Sequence, residues 1–211
     1  FDGALQEWLD GGENTVKAPN ENLSREMMEL FVLGVNRYTE TDVKELARAF
    51  TGYQVPRSTG VITYNARRRD TSPVTVLGKT GVMSPEEVIT HLVSQSNCAL
   101  FIAERIWYRF VSSQEPLPQD HPMIKAFADR DIYALMKSLI ESSALSQQQY
   151  SMVKSPVEWF IGICRATSIT PSQLPSPTKL ANYFEKLSQV PFSPPNVGGW
   201  PVDQAWLSSA S

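Results

Sequence analysis

Histidine and cysteine are scarce in this chain of 211 residues, which has only His91, His121, Cys98 and Cys164. Neither histidine stands at a metal-binding interval from another ligand residue, and there is no CxxC pair, so no local zinc or thiol-redox motif exists. The GxSxG elbow is missing, as are the GxGxxG and Walker-type glycine spacings, which leaves nucleophilic hydrolysis and phosphate cradling without a motif. No cofactor is expected. Strong charge is lacking too. A net charge of -3 gives no long-range pull on polyanions, and Arg67, Arg68 and Arg69 form the one concentrated basic run, which reads as a solvated loop. Nucleic acid is not an expected partner. The longest apolar stretch, from Ala99 to Val111, is interrupted by Glu104, Arg105 and Arg109 and falls short of the roughly 20 apolar residues a membrane span needs.

What remains is ample apolar content in helical patterns. At 42% hydrophobic residues, a chain of this length buries roughly 70% of the surface its unfolded form exposes. Leu23, Met27, Leu30, Phe31 and Gly34 follow the 3, 4, 7 spacing of one helical stripe, with Asn20 or Asn22 as the cap. A second helix is expected from near Thr41, capped by its hydroxyl, with Val43, Leu46, Ala47 and Phe50 on one face and Gly52 beyond its end. Ser84, Pro85 and Glu87 spell a capping box that starts a third. Further helices are predicted over 97–111, 122–128, 131–145, 156–167 and 178–187, the fifth of these positions being joined to its predecessor by a Pro-rich turn. Cys98 and Cys164 fall on different helices, either as one disulfide or as two buried thiols; their apolar surroundings favour thiols.

Between residues 55 and 81 the pattern changes. Val61 to Tyr64 and Val74 to Leu77 read as two short strands of a β-hairpin inserted between helices, a mobile or binding element. The expectation for 1–211 is one all-α domain of seven to eight helices with that single hairpin, and Pro116 to Pro118 reads either as the best point for a subdomain break or, equally, as an ordinary loop.

One polar cluster stands out. Asn22, Arg25, Glu26 and Glu29 are neighbours on a helix surface, because positions three and four apart adjoin. The leading reading is ion pairing, with Arg25, Lys44 or Arg48 fixing the first helix to the second. Two other readings are Glu26 and Glu29 as weak metal ligands with Asn22, or as an acid and base, with Asp42 and Arg48 as further candidates. Pro194 to Pro201, with Asn196, Gly198, Gly199 and Trp200, reads either as a rigid loop presenting Trp200 and Trp206 to a sugar or peptide, or as a plug of the core. His91 is expected to contact Glu87 one turn earlier, and His121 to belong to a helix start.

The run from Pro19 to Gly34, with Tyr38, Thr39, Asp42, Val43, Ala47 and Arg48 after it and Pro194 to Pro201 near the end, resembles the bacterial domain of unknown function 1800 family. Asn20, Glu21, Asn22, Arg25, Glu26, Glu29, Leu30, Phe31, Leu33 and Gly34 agree with its usual pattern, while Leu23 replaces a common aromatic. Ala66 and Arg69 stand where members often carry a proline and a histidine. That family has no settled activity. Its members are longer, so the resemblance implies a C-terminal portion lacking a helical N-terminal half. It also implies a periplasmic or cell-envelope setting and a non-catalytic module working through protein or glycan contacts. The alternative is a metal-dependent or carboxylate-based hydrolase completed by the other half.

Overall fold

The protein is described by a computed structural model covering residues 2–56, 58–147 and 152–207. The chain divides into two compact units, Phe1–Ile102 and Ala103–Ser211. The division falls inside a continuous helix, ahead of Pro116 to Pro118, because prolines mark where a chain turns and not where its contacts cluster.

The first unit begins with α1 (Gly3–Trp8), capped by Asp2, whose carboxylate accepts the Leu5 N–H at 2.7 Å. Next, α2 (Asn22–Glu26) runs without a break into a π-helical turn over Met27–Val32, where the Leu33 N–H reaches the Met28 carbonyl at 2.8 Å. The wider turn rotates every later side chain relative to an α-helical register. Leu23 is buried as expected, and beyond it Met28, Val32 and Leu33 are buried, whereas Phe31 of the expected stripe is exposed and Met27 and Leu30 are half-buried. Gly34 then ends the helix at φ +88°, and a Cβ there would lie 2.7 Å from the Phe101 ring, so both backbone and packing exclude a side chain.

Helix α3 (Glu40–Ala49) is started by Thr39, two residues ahead of the expected Thr41. Thr39 and Asp42 cap each other, and Val43, Leu46, Ala47 and Ala49 are buried. The 55–81 region differs in pairing from the expected hairpin. β1 (Tyr53–Gln54) pairs with β2 (Thr63–Tyr64), and β3 (Val74–Val76) pairs with β4 (Lys79–Gly81), both antiparallel. Leu77 and Gly78, with φ of 47° and 79°, close β3 on β4 by a two-residue turn of the primed kind. Such a local closure costs less chain entropy than pairing residues 61–64 with 74–77. Val74 and Val76 point into the core with Thr75 exposed between them, and β3 lies against α3. Helix α4 (Pro85–Ser94), capped by the expected Ser84 and Glu87 pair, adds Val88 and Leu92 to the same core.

Helix α5 (Ser96–Phe110) carries the chain into the second unit, where α6 (Pro122–Ala126), α7 (Ile132–Glu141), α8 (Pro156–Ala166) and α9 (Pro177–Lys186) follow. His121 Nδ1 accepts the Met123 N–H at 3.3 Å, so it starts α6 as expected; Asp131 does the same for α7 and Ser155 for α8. Trp107, Val111, Leu117, Met123, Leu135 and Leu139 are buried, and Trp107 satisfies its indole N–H on the Glu115 carbonyl at 2.8 Å. Phe160 and Phe184 meet edge to face at 5.3 Å, joining α8 to α9. Cys98 and Cys164 are both buried thiols. The described residues thus form a mostly helical fold with two small strand pairs, and none of their helices is long and apolar enough to cross a membrane.

Candidate functional site

The polar cluster expected around α2 separates into two groups of contacts. In the first, the Arg25 guanidinium grips both oxygens of Glu40 at 2.7 Å and reaches Glu21 at 3.2 Å, tying α2 to the start of α3. The hydrogen bond with Glu40 raises Arg25 above its ordinary range and pulls Glu40 below its own. The Tyr38 phenol donates to Glu29 Oε2 at 2.6 Å, and burial together with that bond pushes the phenol up to about 12. Glu26 makes no hydrogen bond or ion pair through its carboxylate among the described residues; burial and then the Glu29 charge push it upward, against a lowering pull from Arg25. Asn22 lies apart, its Nδ2 donating to Asp10 at 3.1 Å.

Asp42 and Arg48 belong to the second group, which seats the β3–β4 hairpin on α3. Asp42 Oδ1 accepts the Leu77 N–H at 2.7 Å while its other oxygen completes the Thr39 cap. Arg48 takes Asp70 at 2.8 Å through Nε and Glu45 at 2.8 Å through Nη1. The expected pairing of Glu26 or Glu29 with Arg48 or Lys44 is not formed, because the Arg48 guanidinium is spent on the hairpin side of α3. Of the basic run, only Arg67 is exposed: Arg68 donates to the Gly12 carbonyl at 3.2 Å, and Arg69 clips the Ala49 and Met83 carbonyls. Those two cations are structural ties, which corrects their reading as a solvated loop.

His91 also departs from expectation. Its Nε2 faces the Val76 carbonyl at 3.0 Å, because Glu87 is already committed to the Ser84 N–H at 2.7 Å. Among the described residues no three His, Cys, Asp or Glu side chains gather as a metal-binding group.

The tail residues do converge. In the second unit Trp200 and Trp206, both half-buried, line one cleft of about 480 Å³ with Arg109, Lys154, Glu158 and Gln189. Asn196 does not line it. Its side chain accepts the Gly198 N–H at 2.8 Å and so shapes the turn that delivers Trp200. Gly199 has φ +87°, which explains a glycine at the point where the Arg109 guanidinium passes. Across the cleft wall, Ser155 and Glu158 form the α8 capping box, and Gln189 Oε1 accepts the Val157 N–H at 2.9 Å.

Asp203, which the sequence pattern does not single out, is the pin of this site. It is 4% exposed, has φ 54°, and accepts from the Ser113 hydroxyl at 2.7 Å and the Val153 N–H at 2.8 Å. Those partners lie 90 and 50 residues away in sequence, so no local motif reveals them. Arg109 and Lys154 were hidden for a similar reason: each is an ordinary exposed cation until the tail is brought beside it.

A mostly helical protein with a two-tryptophan cleft in its second half is the class these observations define. The chain belongs to the family described as Protein of unknown function (DUF1800), whose family model matches residues 2–211. No curated protein and no solved structure matches it.

Proposed function

We propose that the protein is a binding module whose second unit holds a glycan in the Trp200–Trp206 cleft. The observation that carries this reading is the presence of both indoles in one concavity of about 480 Å³, a volume in the range of small-ligand sites. Indoles offer broad flat faces for the C–H face of a sugar ring, and the Gln189, Glu158, Arg109 and Lys154 side chains around them suit hydroxyl groups. Neither cleft nor cluster needs a reaction centre to act in this way. The expected setting is the periplasm or cell envelope, on the family likeness, where glycans are at hand. Calorimetric titration of the chain against soluble oligosaccharides tests the reading: Trp200→Ala and Trp206→Ala are expected to lose binding while the helical content by circular dichroism stays unchanged. No heat of binding from any oligosaccharide would overturn it.

A second reading keeps catalysis open at α2. Glu26 and Glu29 are neighbouring carboxylates, Glu26 raised by burial and Glu29 accepting from the Tyr38 phenol, and two adjacent carboxylates are the side chains an acid and base pair uses. Hydrolysis of a substrate by the protein, abolished by Glu26→Gln, would support that reading.

A further inference from the structure

The cleft has an electrical asymmetry that follows from where its charges are spent. It is lined by two carboxylates, Glu158 and Asp203, and two cations, Arg109 and Lys154. Asp203 is engaged through both oxygens inside the protein, whereas Glu158 is exposed and engaged through one. Glu158 Oε2 accepts the Ser155 N–H at 2.8 Å to complete the α8 cap, and Asp203 is buried with one oxygen on Ser113 and the other on Val153. The two cations are exposed, and among the described residues neither has a carboxylate or hydrogen-bond partner.

Each cation passes beside a glycine, at a distance that a Cβ would also allow. Arg109 Nη2 passes where a Cβ on Gly199 would be 3.4 Å away, and Lys154 Nζ lies 3.9 Å from the position of a Cβ on Gly162. The N-terminus of α8 forms part of the same wall, from Ser155 to Glu158, and its dipole places further positive potential there. Its amides supply no free donors: Pro156 has none, Val157 bonds to Gln189 and Glu158 to Ser155. Recognition of a negative group at this cleft therefore falls to Arg109 and Lys154.

Resting on the glycan reading above, we infer that the occupant of the cleft is an acidic saccharide, with a sugar ring against Trp200 or Trp206 and its carboxylate held by Arg109 and Lys154. A planar guanidinium offers paired donors to a carboxylate, and an ammonium adds a point charge, so together they discriminate against a neutral sugar. Asp203 shares its charge with two protein donors, and the exposed Glu158 carboxylate is opposed by two cations in the same cleft.

The test is calorimetric titration of the whole chain with a panel of oligouronates and, for each, the neutral oligosaccharide of the same linkage and length. The acidic member of a pair is expected to bind about tenfold to a hundredfold more tightly, the range of one charge-assisted contact. Arg109→Ala and Lys154→Ala should remove that preference by weakening the acidic member far more than the neutral one, and added salt should narrow it. Both positions are exposed, so neither change threatens the fold. Arg109→Lys should restore part of the preference. Equal affinity for the two members of every pair would overturn the inference and leave the glycan reading standing. Binding by neither member of any pair would overturn both.

Discussion

Tyr38 donates its phenolic hydrogen to Glu29 Oε2 across 2.6 Å, joining the middle of the π-helical turn to the approach to α3. Burial and this bond push the phenol up to about 12 from an ordinary 10.0. A folded value above the unfolded one stabilises fully below the unfolded value and is lost as pH rises through the folded one. The contribution of Tyr38 should therefore fade between 10.0 and about 12. Difference absorbance of the phenolates should show a late-titrating fraction, to which Tyr38 and Tyr53 contribute, and the Tyr38 part should move earlier in Glu29→Gln.

Glu26 should behave in the opposite sense to an ion-paired carboxylate. Its carboxyl is raised by burial and by Glu29, so its contribution is favourable below the ordinary value of 4.5 and is lost as pH rises through the folded one. Near neutral pH the ionised group weighs against the fold. Glu26→Gln should melt no lower than the parent there, and the difference should vanish near about pH 4. A clearly lower melting temperature at neutral pH would show that Glu26 is a structural anchor after all.

Arg48→Ala should loosen the β3–β4 hairpin, since one guanidinium serves Glu45, Asp70 and the Pro73 carbonyl. The expected cost is about 2 kcal/mol, between that of a surface pair and a buried one. Burial alone would raise Asp70, but the hydrogen bonds from Arg48 and Ser72 outweigh it and hold Asp70 below its ordinary 3.8. Its stabilisation is present above 3.8 and is lost as pH falls through the lower folded value. Chemical denaturation down a pH series should show this acid loss shrinking in the Arg48→Ala chain.

Gly34→Ala should be among the costliest single-methyl additions. The left-handed backbone and the approach of Phe101 to 2.7 Å act together, at about 2–4 kcal/mol. The companion Gly78→Ala also has a positive φ, of 79°, but meets nothing within 4 Å, so it should cost only the backbone part. Comparison of the two by urea midpoint separates packing from conformation.

Asp203→Asn keeps the size of the side chain and its tolerance for positive φ, while giving up the carboxylate that two donors share. Loss of charge-assisted hydrogen bonds at a buried site should cost about 2–3 kcal/mol. Hydrogen exchange should show the loss at the Val153 amide, whose N–H bonds to Asp203 at 2.8 Å.

Helix existence was written locally in this chain. Ser84 with Glu87, Ser155 with Glu158 and His121 before Pro122 each satisfy amides within three residues, so the starts of α4, α8 and α6 could be read from neighbouring letters. Family membership was legible for the same reason, in the run from Asn20 to Gly34 that resembles the family's usual pattern. Tertiary structure decided what depends on distance and register. The π-helical turn moved burial from Phe31 to Val32 and Leu33, a rotation that 3.6-residue spacing does not encode. The Leu77–Gly78 turn chose strand partners, and the contacts of Arg48 with Asp70 and Asp203 with Ser113 and Val153 joined residues 22 to 90 positions apart. Capping is a bond between neighbours, so the sequence determined it; a cleft is a meeting of segments that only folding makes adjacent.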